Sequence, residues 1–249
     1  MHRAGVAAGL ALIMMAWCAA DARAQPLRNR YWISVDAGVQ LSTDEIRDGF
    51  EFDRNIEPAT ATVEHDAGIG SAINGGFGVL LSRKGLGAAV SVTRFSRNGT
   101  VQVDASIPHP FFFDRPREIS GEADEMSRSE TGIHGQLTYT LQTRNRLRIM
   151  LGGGISVFNI EQELVTTVRY TESFPFDEAQ FSGVETDRSS GTAIGFNAGV
   201  DIRWLLSRNL GVGGLIRYSR GTVDLDVQDR TVGVEAGGLQ ALGGIRVHF

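Results

Sequence analysis

Apolar and polar side chains alternate with a period of two along most of the chain from residue 31 onward. In the closing run, Leu239, Ala241, Gly243, Ile245, Val247 and Phe249 fall on one face, and Gln240, Leu242, Gly244, Arg246 and His248 on the other. That is a strand's period, because successive side chains of an extended chain point to opposite sides. Seven further segments carry the pattern: Tyr31–Leu41, Ile69–Leu81, Leu86–Phe95, Gly132–Gln142, Leu147–Phe158, Thr192–Leu205 and Leu210–Ser219. Each matches the roughly 9–11 residues that a tilted strand needs to cross a bilayer. The pattern predicts an all-β fold, an eight-stranded antiparallel up-and-down transmembrane β-barrel with long extracellular loops.

Charge placement agrees. A cation on the lipid face at mid-bilayer costs about 2–4 kcal/mol, so strand charges should take the other parity. Asp36, Arg148, Asp201, Arg203, Arg217 and Arg246 do; Arg94 and Glu235 do not, and each lies at a strand end where a rim position accommodates it. Three connections are short, at 82–85, 143–146 and 207–209. Four are long, near 42–68, 98–130, 159–190 and 220–230. Long and short alternate strictly, as short inner turns and long outer loops of a barrel do. The long connections hold 25 of the 28 acidic residues beyond residue 24, and their net charge is −16 against +10 for the remainder. Such loops are well solvated, or meet divalent cations bridging surface lipopolysaccharide. An acidic outer face disfavours nucleic acid.

The first residues must be set aside before the fold is read. His2 and Arg3 precede an apolar run from Val6 to Ala20, shorter than the ~20 residues of a spanning helix. Ala22-Arg23-Ala24 then has the form of a cleavage site. Residues 1–24 are therefore expected to be a signal peptide and 25–249 the barrel domain. Cys18 lies in the leader, so the exported domain has no cysteine and no thiol chemistry.

Candidate chemistry is sparse. His134 faces inward, but its same-face neighbours are Gly132 and Gln136, and Ser129 is not at same-face spacing for a Ser–His pair. No histidine or carboxylate cluster has metal-ligand spacing, and no Gly-rich phosphate loop precedes a helix, so neither catalytic residue, metal nor cofactor is expected. Asp36, Arg148, Asp201, Arg203 and Arg217 are predicted to form a lumen network that plugs the barrel. Two connections carry aromatic, proline-rich tips, Phe111, Phe112 and Phe113 in one and Phe174 and Phe176 in the other. These tips either pack on each other or form a contact patch.

Leader, eight alternating strands, alternating loop lengths and the terminal Val247-His248-Phe249 together resemble the small outer-membrane barrels of the OmpA, OmpX and OmpW type. The resemblance covers the whole exported chain but is one of pattern more than of motif. It implies an outer-membrane location after export, contact with outer-membrane lipid and lipopolysaccharide, and insertion by the barrel-assembly machinery with Phe249 as assembly signal. No peptidoglycan-binding domain of the OmpA kind follows the barrel. The expected role is non-enzymatic, structural or surface-interacting. The alternatives are a narrow OmpW-like channel for small or hydrophobic solutes, and a lipid-modifying enzyme.

Overall fold

The computed structural model describes residues 30–42, 46–65, 67–142, 146–228 and 230–249. The leader at 1–24 and most of the short turn at 143–146 lie outside the described residues. Ten strands follow in order: β1 (Tyr31–Ser42), β2 (Ile46–Arg54), β3 (Glu57–His65), β4 (Gly68–Leu80), β5 (Leu86–Ile107), β6 (Arg117–Gln142), β7 (Leu147–Glu172), β8 (Ala179–Leu205), β9 (Leu210–Val227) and β10 (Arg230–His248).

Eight of them form a closed antiparallel ring in the order β1, β4, β5, β6, β7, β8, β9, β10. One row of paired residues can be followed around it. From Gly221 on β9 it passes Gly195, Ser156, His134, Ser91, Gly76, Ser34 and Arg246, and re-enters β9 at Gly211. The ring thus closes with a stagger of ten residues on β9. With a rise of about 3.4 Å per residue and a strand spacing of about 4.8 Å, this tilts the strands by about 40°.

The parity read from the sequence is the parity of the wall. Ile33, Val35, Ile73, Val90, Leu137, Ile155, Ile194, Ile216 and Ile245 point outward and are exposed, while Ser34, Asp36, Asn74, Ser91, Thr138, Asn197 and Arg246 point inward and are buried. An outward apolar face on every ring strand is what lipid requires of a barrel. Tyr31 stacks between Phe77 and Phe249, at 6.1 and 6.4 Å between ring centroids, on the short-turn side. Arg94 and Glu235 do face outward. Arg94 donates to Thr131 Oγ1 at 2.7 Å and to Ser129 Oγ at 3.2 Å, and Glu235 pairs with Arg220.

The long connections hold more strand than the alternation suggested. The segment 42–68, read as a loop, contains the β2–β3 hairpin, and β3 pairs with the far half of β5 from Thr60↔Ser106 to His65↔Val101. The segment 220–230, also read as a loop, is strand almost throughout, β9 running to Val227 and β10 starting at Arg230. In both, charged residues are interleaved with the buried apolar ones, so hydropathy stays low although one face is buried. The true loops of the two longest connections shrink to 108–116 and 173–178.

These extensions build a lobe beyond the ring. Ala59, Ala61, Val63, Val101, Val103 and Ile119 from the sheet β2-β3-β5-β6 pack on Val165 and Val168 of the β7–β8 hairpin. Alanine and glycine let the layers approach closely: a Cβ on Gly121 would fall 2.1 Å from the Phe181 ring. A second cluster joins Ile46 at the start of β2 to Phe158, Leu164, Val223, Leu225, Val232 and Val234 on the inner faces of β7, β9 and β10. It roofs the lumen.

Candidate functional site

Three features of this architecture could carry function: the lumen, the Ser–His contact inside it, and the tip of the lobe.

The lumen is filled by polar side chains in contact. Near the short-turn end Arg203 Nε and Nη2 donate to Asp201 Oδ2 at 3.0 and 2.9 Å, and its guanidinium lies 4.7 Å over the Trp32 ring. Asp201 Oδ1 accepts from Arg246 at 3.1 Å, and Arg246 pairs on its other side with Asp36. Two carboxylates and two guanidinium groups therefore alternate across β1, β10 and β8 with no net charge. Such compensation is what makes buried ions tolerable. Asp36 is tied in turn to the neighbouring strand β4, where its cross-strand partner Asn74 donates from Nδ2 at 3.1 Å.

Arg217 occupies the next level and is held differently. It donates to Gln240 Oε1 at 2.9 Å, Ser91 Oγ at 2.8 Å, Asn74 Oδ1 at 3.3 Å and to Thr93 Oγ1. All four acceptors are neutral, and they come from β10, β5 and β4, so the side chain reaches from β9 to the facing wall. Above it Gln240 donates to Gln40 Oε1 at 2.5 Å, and Gln40 donates to Glu130 Oε2 at 3.2 Å. Glu130 also accepts from Arg128 at 2.6 Å and from the Gly237 N–H at 3.0 Å. Gly237 and Gly238 have φ of 91° and 132°, and a Cβ on Gly238 would lie 2.1 Å from the Leu41 carbonyl oxygen. Glycine is required at that kink, where Gln40 and Glu130 hold the backbone.

Of the five residues expected in a lumen network, Asp36, Asp201, Arg203 and Arg217 are joined by it. Arg148 is not: it stands half-buried at the short-turn end, outside the hydrogen-bonded set. Strand parity marked Arg246 as inward, but its central place between two carboxylates depends on register around the ring. Arg128 and Glu130 fell in a segment read as loop, and Gln40, Asn74 and Gln240 carry no charge to single them out.

His134 does meet a serine, across the strand pair rather than along it. Ser156 Oγ lies 2.8 Å from His134 Nδ1 and accepts from Asn197 Nδ2, also at 2.8 Å. Both side chains are 0% exposed, with the imidazole edge-on to Phe158 at 5.7 Å. Among the described residues no carboxylate is hydrogen-bonded to the ring, and His134 Nε2 has no partner.

Outside the ring, the two aromatic tips come together. Phe111 meets Phe176 edge-on at 5.5 Å, and Phe174 meets Phe176 at 6.1 Å. Buried Arg117 clamps both loops, donating to Pro108 O at 2.9 Å, Phe176 O at 3.0 Å and Glu172 Oε2 at 2.6 Å. His109 is buried behind them and accepts from the Phe111 N–H at 3.1 Å. Contact and exposure coexist: Phe111, Phe112, Phe113 and Phe174 remain 69, 54, 71 and 85% exposed. The β2–β3 turn adds to this surface, with Asn55 Nδ2 donating to Pro108 O at 3.1 Å and the Asp114 N–H to Glu57 Oε1 at 3.2 Å. Sequence reasoning missed that third contribution because it placed no hairpin there.

No family model and no curated protein matches the sequence. Among solved structures the chain is similar to the outer membrane protein OprG from Pseudomonas aeruginosa, at 9% identity and a TM-score of 0.45 over 89% of this chain and 96% of that one. It is similar to Neisserial surface protein A at 14% identity and a TM-score of 0.40, over 88% of this chain and 97% of that one. It is also similar to the outer membrane protease OmpT from Escherichia coli, at 8% identity and a TM-score of 0.45, over 91% and 99% of the two chains.

Proposed function

We propose that this chain is a non-enzymatic outer-membrane barrel that conducts nothing, anchors a rigid lobe outside the cell and presents the tip of that lobe as an interaction surface. The closed lumen carries the reading. Arg217 and Arg246 are 0% exposed, whereas charged groups lining an aqueous pore stay wet. The apolar roof formed by Ile46, Phe158, Leu164 and Val232 closes the same path a second time.

The location follows from the wall. A closed ring with an apolar outer face leaves no backbone edge in lipid, and the expected leader would direct export. The long connections then face outward and the short turns the periplasm. Outer-membrane lipid and lipopolysaccharide surround the belt, and the assembly machinery reads the end of β10 at Phe249. A lipid-modifying activity has no support in the Ser156–His134 contact, which is sealed from the membrane by the wall.

Proteoliposome swelling with small sugars tests the reading, alongside mass spectrometry of lipid A from cells producing the protein. Swelling no faster than in protein-free liposomes, with unchanged lipid A, is expected. Rapid swelling would transfer the chain to the channel class, and altered acylation to the enzymes.

A further inference from the structure

Two bulky residues of the tip, Ile56 and Phe176, hold a left-handed backbone. Ile56 is 96% exposed and has φ of 73°. A β-branched residue is disfavoured there, where glycine or asparagine would sit without strain. Phe176, at 71°, shares that disfavoured backbone, while Asn55 and Asp114, at 51° and 54°, are residue types that adopt it readily. Strain of this kind gathers where a surface is shaped for contact. The apolar side chains it displays are Ile56, Phe111, Phe112, Phe113 and Phe174, gathered around half-buried Phe176 as a contiguous exposed cluster. Arg117, with its ties to both loops and to Glu172, holds the cluster in place, so little ordering is left for binding.

The charge around this patch selects its partner. Asp53, Asp114, Asp177 and Glu178 are exposed beside it and form no ion pair among the described residues. Two exposed cations stand among them and a third, Arg117, is neutralised. Arg115 lies 5.7 Å over the Phe112 ring, Arg54 5.8 Å over Tyr170, and Arg117 is paired with Glu172. An apolar centre with a rim whose exposed carboxylates outnumber its exposed guanidinium groups repels an anionic bilayer and favours a surface of the opposite design.

We infer that the lobe tip docks a polypeptide partner that presents apolar side chains ringed by lysine and arginine. This rests on the reading of the lobe as the outward, interaction-bearing part.

The test uses the folded chain in zwitterionic nanodiscs, with heat-modifiable mobility confirming the fold of every variant. The probe is a synthetic peptide of lysine interleaved with leucine and phenylalanine. Its counterparts carry serine at the apolar positions, or glutamate in place of lysine. The lysine–apolar peptide should bind at least tenfold more tightly than either counterpart. Ile56→Gly combined with Phe113→Ser and Phe174→Ser should lose at least tenfold. Ile56→Gly alone should weaken binding while leaving the fold equally or more stable, a combination that a purely structural role does not produce. Asp114→Asn with Asp177→Asn and Glu178→Gln should weaken binding and flatten its salt dependence. Unchanged binding by the apolar variant would overturn the inference. So would preference for phosphatidylglycerol vesicles, self-association abolished by the same substitutions, or no binding at all. Swelling assays on the same variants keep the two readings apart: an open pore with intact peptide binding removes only the closed lumen, and a closed pore without binding removes only the partner.

Discussion

Asp201 accepts from two guanidinium groups at once, from Arg203 at 2.9 Å and from Arg246 at 3.1 Å, inside a barrel where neither can find bulk water. Removing it leaves two buried cations sharing Asp36 alone. Asp201→Ala should therefore cost about 3–5 kcal/mol, as breaking a buried ion pair does. Asp201→Asn should cost less, because it keeps acceptor and shape. Urea unfolding in detergent checks this, and a difference below about 1 kcal/mol between wild type and the alanine variant would contradict the arrangement. On the outer face, Leu151→Arg should cost about 2–4 kcal/mol by placing a cation in lipid. Asn197→Arg should not be milder, since Asn197 is 2% exposed and bonded to Ser156 and Gln136, leaving no room for a longer side chain. Folding yields of the two variants into lipid vesicles settle the comparison; normal yield for Leu151→Arg would reverse the assigned faces. At this scale the sequence was a good guide to side and a poor guide to partner. Alternation placed Asp36, Asp201, Arg203 and Arg217 inward, but that Arg217 meets four neutral oxygens depends on the stagger of the ring, which no single strand records.

Element by element, legibility tracked how cleanly apolar residues alternated with polar ones. The ring portions of β1 and β4 to β10 have Val, Ile and Leu on one face and were readable. The β2–β3 hairpin has Ala59, Ala61 and Val63 on its buried face and Asp48 beside Phe50, too little hydrophobic contrast to reveal a strand. Its place is fixed by tertiary contacts. Arg230 donates to Asp48 at 2.7 Å and to Val165 O at 2.5 Å, and its guanidinium lies 4.1 Å over Phe50. His65 ends β3 among Asp48, Arg97 and Arg128, and burial pushes its pKa from 6.5 down to about 4. Between those values the unfolded chain holds a proton that the docked hairpin excludes. Docking is therefore strongest above pH 6.5 and weakens as pH falls toward 4, by up to about 3 kcal/mol. Hydrogen exchange of the β3 amides, corrected for intrinsic rates, should show protection falling over this window. Protection that stays level from pH 7 to 4.5, or a loss that persists unchanged in His65→Gln, would contradict it.

The whole molecule is a closed ring of strands with a lobe on one end, and its seam is the pairing of first and last ring strands. Tyr31 N–H donates to Phe249 O at 2.8 Å, and Phe249 N–H donates to Tyr31 O at 3.0 Å. Phe249 thus closes the seam, beyond any role as a signal. Deleting it should lower the inserted fraction and also the unfolding midpoint of what does insert. Pulse-chase insertion together with a melting assay separates the two, and an unchanged midpoint would leave assembly as its sole contribution. Closure of the lumen can be read by single-channel recording in planar bilayers. The wild-type protein should remain at the bare-membrane baseline, while Arg217→Ala, which removes a side chain spanning from β9 to β4 and β5, should admit a small steady current. Steady conductance by the wild type, unaltered by Arg217→Ala, would contradict the account.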